Sequence, residues 1–166
     1  MTKMRKLKLT LFSAALVLCI GNIAFLREAS PIPNEFENTS KITLQFISPS
    51  KEMPEMAPWR QVSIPFDSES ATKLYGLLKE QKYRCTYKQL LGAIFGVSPT
   101  LSTHGEKSVA DITFWNDDEL LGSILISEEG NVLIDDHLYT LKRNSAQSQP
   151  KILATVSEII EDSGGQ

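Results

Sequence analysis

ADITFWNDDELLGSILISEEGNVLIDDHLYTL, residues 110–141, is the stretch on which the fold turns. Ala110, Ile112 and Phe114 alternate with Asp111 and Thr113, and Asn116-Asp117-Asp118 then interrupts the pattern. Leu120, Gly122, Ile124 and Ile126 alternate with Leu121, Ser123 and Leu125 before Glu128-Glu129-Gly130-Asn131. Val132 and Ile134 come next, Asp135-Asp136 breaks in again, and Leu138-Tyr139-Thr140-Leu141 closes the run. A period of two is that of a strand with one face buried, and Asp, Asn and Gly are the residues that tight hairpin turns accept. The stretch predicts a four-stranded antiparallel meander.

Working outward, two more alternating segments lie upstream. Ile42, Leu44 and Phe46 alternate with Thr43 and Gln45, and Val62, Ile64 and Phe66 alternate with Gln61, Ser63 and Pro65. Proline has no N–H to give to a ladder, so the second of these belongs at a sheet edge or a strand end. Between them and the meander the period changes to that of a helix. Asp67, Ser68 and Ser70 offer amino-terminal caps for a stripe of Ala71, Leu74, Leu77 and Leu78. Thr86-Tyr87-Lys88-Gln89 has the form of a capping box for a stripe of Tyr87, Leu90, Leu91, Ile94 and Phe95 that ends at Gly96. After the meander, Pro150 opens a last stripe of Ile152, Val156, Ile159 and Ile160, ended by Gly164. Strands and helices are segregated along the chain, which predicts an α+β fold. It consists of an antiparallel sheet, two amino-terminal strands plus the meander, packed against two or three helices.

The amino terminus is of another kind. Leu9 to Leu26 (LTLFSAALVLCIGNIAFL) is eighteen residues without a charge, preceded by Lys3, Arg5, Lys6 and Lys8 and followed by Arg27 and Glu28. As a helix it would be about 27 Å long, close to the roughly 30 Å of a bilayer's hydrocarbon core. Cations gathered before such a run hold the amino terminus in the cytoplasm and send the downstream chain to the other side. The sequence thus divides into a basic segment 1–8, a membrane anchor or signal-peptide core 9–26, a linker 27–40 and an extracytoplasmic domain 41–162. The anchored form is a single-pass protein. Cleavage near Ala24 or Ala29, each with a poorly suited residue three positions before the cut, would instead give a secreted or periplasmic one.

Composition narrows the function. The chain of 166 residues is 42% hydrophobic and 22% charged, with net charge −3. Four of its seventeen basic residues precede Leu9, so thirteen face twenty acidic ones downstream. An acidic domain repels phosphate backbones, which argues against nucleic-acid binding. Cys19 lies inside the apolar run and leaves Cys85 alone in the domain, so neither an internal disulfide nor a Cys/His zinc site is available there. No nucleotide-binding, P-loop, zincin, nucleophile-elbow or EF-hand motif occurs.

Two sets of residues are candidates for contact with other molecules. Alternate turns of a meander fall at one end of the sheet, which would gather Asp117, Asp118, Asp135 and Asp136 with Glu119 and His137 on a rim. Such a rim could hold Ca²⁺ through its carboxylate oxygens or meet a basic partner; acids favoured by turn geometry would equally stand there facing water. Trp59 and Arg60, after Met53, Met56 and Pro58, and Trp115 beside the first acidic turn are residue types enriched at binding surfaces, and with His137 they are candidate partner contacts. The whole reads as a membrane-anchored or secreted binding or accessory module, without catalysis, whose partner is another envelope protein. The second reading is an extracytoplasmic hydrolase or metal-dependent enzyme.

Overall fold

A computed structural model of the chain describes residues 12–13, 28–29, 31–47, 59–86, 89, 95–96, 108–141 and 148–164. Apart from Phe12 and Ser13, the apolar run 9–26 lies outside them. Among the described residues no helix is long and apolar enough to cross a membrane.

The strands are β1 (Glu28–Ala29), β2 (Lys41–Ile47), β3 (Trp59–Pro65), β4 (Tyr83–Cys85), β5 (Val109–Asn116), β6 (Glu119–Ser127), β7 (Asn131–Ile134) and β8 (His137–Leu141). Among the described residues the complete helices are α1 (Glu69–Lys79) and α2 (Ser148–Asp162), and Asn34–Asn38 forms one 3-10 turn. These described strands join in one antiparallel sheet, in the order β1-β4-β8-β7-β6-β5-β2-β3. The predicted meander is β5 to β8, and the two predicted upstream strands extend it as β2 and β3. The α+β class follows.

One face of the sheet is the core. Ile42 and Leu44 of β2 lie opposite Phe114 and Ile112 of β5, Ile112 opposite Ile124 of β6, and Ile124 and Ile126 opposite Ile134 and Val132 of β7. All of them are buried in one cluster with Ala71, Leu74 and Leu78 of α1 and Ile152, Leu153, Val156, Ile159 and Ile160 of α2. Each of these side chains larger than alanine contributes about 1.5–3 kcal/mol through apolar area withdrawn from water. The helices begin and end where local chemistry lets them. Ser68 caps α1 by accepting the Ala71 N–H at 3.3 Å. Helix α2 starts two residues before Pro150, and a proline in the first turn removes no helical bond because those N–H groups have no acceptor there. Gly164, at φ +66°, ends it.

Pro65 is the last residue of the edge strand β3. Phe66 N–H donates to Ser40 carbonyl at 2.9 Å, which makes Ser40 and Phe66 a hydrogen-bonded pair. By alternation Ile42–Ile64, Leu44–Val62 and Phe46–Arg60 are hydrogen-bonded pairs too, while Trp59, Gln61, Ser63 and Pro65 turn their backbone groups outward. The N–H that proline lacks would have pointed away from the sheet, so its absence costs no ladder bond.

Several features depart from the sequence reading. Residues 31–40, expected as linker, belong to the fold. Phe36 in the 3-10 turn is fully buried and stacks on Phe114 with ring centroids 4.2 Å apart. β1 and β4, too short to show an alternation, extend the sheet beyond β8. Of the helix predicted after Thr86, only Gln89, Phe95 and Gly96 lie among the described residues. Thr86 Oγ1 accepts the Gln89 N–H at 3.1 Å, half of the predicted capping box. The other half is replaced: Gln89 Oε1 accepts the Leu138 N–H at 2.8 Å, the bond β4 would receive if its ladder ran on. Phe95, predicted on the apolar stripe, is exposed.

Candidate functional site

The two acidic turns do not form one rim. Both are two-residue loops whose first residue has positive φ, Asp117 at 52° and Asp135 at 49°, a conformation aspartate tolerates better than most side chains. The first hairpin closes at Asn116–Glu119 and the second at Ile134–His137, with Ile134 opposite Ile124. That register leaves the β5–β6 turn roughly 15 Å further along the strand direction than the β7–β8 turn. Each turn is tied to a different part of the chain. Asp117 N–H donates to Ser40 Oγ at 2.7 Å, and Asp118 stands 3.7 Å from Lys41 Nζ at the surface. Asp135 folds back on β6, where its Oδ1 accepts the Ser123 N–H at 3.3 Å. Asp136 and His137 are exposed. Among the described residues no group of three or more His, Cys, Asp or Glu side chains is placed to hold a metal ion.

The aromatic and basic candidates are also dispersed. Trp59 is in register with Ile47 and Trp115 with Lys41, at opposite ends of β2 and about 20 Å apart along it. Arg60 reaches Glu161 at the end of α2, 3.6 Å away. Trp115 is half-buried beneath Lys41, whose Nζ lies 5.7 Å from the ring centroid. Its carbonyl accepts both the N–H and the hydroxyl of Ser40, at 2.7 and 3.2 Å. Ser40 thereby clips the end of the 31–40 segment to the β5–β6 hairpin.

What the structure does bring together is the polar face of β3, β2 and β5, on the side of the sheet away from the core. Thr43–Ser63 and Gln45–Gln61 are non-hydrogen-bonded pairs, the positions at which facing side chains approach most closely. Their side chains bond across the strands: Thr43 Oγ1 to Ser63 Oγ at 3.0 Å, and Gln45 Nε2 to Gln61 Oε1 at 3.1 Å. On β5, next to Gln45, Asp111 is half-buried and accepts the Thr113 hydroxyl at 3.4 Å. Burial holds the Asp111 carboxyl above its ordinary range, against the opposing pull of that hydrogen bond. In the sequence these residues are only the polar half of an alternation. The rungs become visible once the register of β2 against β3 is known.

Comparison of the chain with models of protein families, with curated proteins and with solved structures finds no match.

Proposed function

We propose that the chain is an extracytoplasmic binding or accessory module, held to a membrane by a helix formed from residues 9–26 with its amino terminus in the cytoplasm. In this reading its task is to meet another envelope protein, and its chemistry is recognition. The single observation that carries it is the polar face running from Asp111 and Thr113 through Gln45 and Thr43 to Gln61 and Ser63. Thr43 with Ser63 and Gln45 with Gln61 bond across β2 and β3, Thr113 bonds Asp111 along β5, and no further strand pairs with β3 among the described residues. A surface laid out that way suits a broad protein contact, whereas substrate sites draw their polar groups to a point in a concavity. The membrane part is supported by the uncharged run 9–26 and the four cations before it. A reporter active only outside the cytoplasm, fused after Gln166, should be active in this chain. Replacing Lys3, Arg5, Lys6 and Lys8 by Glu should scramble its insertion. Reporter activity confined to the cytoplasm would overturn the localisation and the partner class with it.

A further inference from the structure

Among the described residues, the two edges of the sheet differ. One is β1, two residues long; the other is β3, seven residues with a proline at the end and a single charge, Arg60. Proteins commonly blunt a long edge with lysines, an inward-pointing charge or a central proline. β3 carries one charge on the core side, Arg60, held 3.6 Å from Glu161, and between Trp59 and Ile64 it has neither a lysine nor a proline. Its outward backbone groups belong to Trp59, Gln61 and Ser63, and Gln61 and Ser63 are exposed.

We infer that β3 is the interface through which two copies of this chain pair edge to edge, antiparallel about a two-fold axis at Gln61. The register follows from which groups face outward. Only odd-numbered residues do so, and a pairing centred on Gln61 sets Gln61 against Gln61 and Trp59 against Ser63 of the second copy. It forms roughly six backbone hydrogen bonds and leaves Pro65 beyond the ladder, where its missing N–H is not needed. Arg60 then faces Val62 of the other copy rather than a second arginine, so no like charges are opposed. Side-chain chemistry closes the same way. Gln61 Oε1 already accepts from Gln45, which leaves the Gln61 amide hydrogens to reach the edge. A carboxamide both donates and accepts, so Gln45, Gln61 and their symmetry mates form one amide ladder across the axis. A self-complementary edge of this kind fits a second copy better than an unrelated strand. The pairing does not depend on which side of a membrane the domain occupies.

The experiment uses the full chain in detergent micelles, with Cys19→Ser and Cys85→Ser as background. Facing residues of a hydrogen-bonded antiparallel pair have Cα atoms about 5.5 Å apart, within disulfide range. Gln61→Cys should therefore run at twice the monomer mass after mild oxidation. Ser63→Cys, with its mate roughly 14 Å away along the strands, should stay monomeric under denaturing, non-reducing conditions. Light scattering should show a dimer for the background chain. Gln61→Pro removes an outward donor and no internal ladder bond, so it should leave the circular dichroism unchanged and weaken the dimer by about tenfold or more. Gln61→Lys, which opposes two cations at the axis, should act in the same direction. A monomer at every concentration, cross-linking at Ser63 in place of Gln61, or a dimer indifferent to all the Gln61 substitutions would each overturn the proposal.

Discussion

In the meander, Ile112, Phe114, Ile124, Ile126, Val132 and Ile134 reach the core because the strand period sends every second side chain to the same face. In residues 31–40 one large side chain, Phe36, is buried as completely with no period around it. Its neighbours Asn34, Glu35, Glu37 and Asn38 are exposed. What admits Phe36 is a gap in the opposite element. Gly122 on β6 has no Cβ, and one placed there would come within 2.8 Å of the Phe36 ring and 2.5 Å of Asp135 Oδ1. The meander's core is specified by spacing along the chain, whereas the Phe36 seat is specified by a missing atom some ninety residues away. Burial of the first kind survives local change. Burial of the second depends on two partners at once.

The largest effects should come from the rings. Phe36→Ala should destabilise the protein by about 3–5 kcal/mol in urea denaturation, as much as a meander substitution such as Ile124→Ala at about 2–5 kcal/mol. A loss under about 1 kcal/mol at Phe36 would return that segment to the status of a linker and break the comparison. Next in size, Gly122→Ala should cost about 1–3 kcal/mol, by forcing the ring and the Asp135 carboxylate aside and by holding an alanine at φ +157°. Combined with Phe36→Ala it should cost less than the sum, because the removed ring frees the space. Strict additivity would mean that the glycine does not form the seat.

The smallest effect concerns the polar face of the meander and has a definite sign. Burial raises the Asp111 pKa above its ordinary value of 3.8, so the folded protein binds that proton more tightly than the unfolded chain does. Between the unfolded value and the raised one, stability contributed by the protonated form is lost as pH rises. Asp111→Asn, which keeps the shape without the charge, should therefore be more stable than the parent at neutral pH. The advantage should shrink as acidification protonates the parent. Thermal melts from acid to neutral pH read this directly, and a mutant less stable at every pH would contradict the assignment.

The same contrast explains what could be read from the sequence. Six strands and the stripes of α1 and α2 were legible because alternation and 3.6-residue periodicity are local properties. The Gly96 and Gly164 stops, the Ser68 cap and the place of Pro65 at an edge were legible for the same reason. β1 and β4 were not, since two or three residues cannot display a period. Phe36 left a faint sign, a lone aromatic among acidic and amide side chains, which only Gly122 and Phe114 make meaningful. The acidic rim failed for a geometric reason: alternate turns share an end of the sheet, but the hairpins differ in length. The Gln45–Gln61 and Thr43–Ser63 rungs required the register, which no single strand carries.

With Phe36 in its core, the domain starts before Lys41. The direct test compares fragments 28–164 and 41–164 by urea denaturation monitored through near-ultraviolet circular dichroism. The longer fragment should unfold in one cooperative step, and the shorter should lose about 3 kcal/mol or more, or fail to fold. Equal midpoints and slopes for the two would contradict a core that includes Phe36.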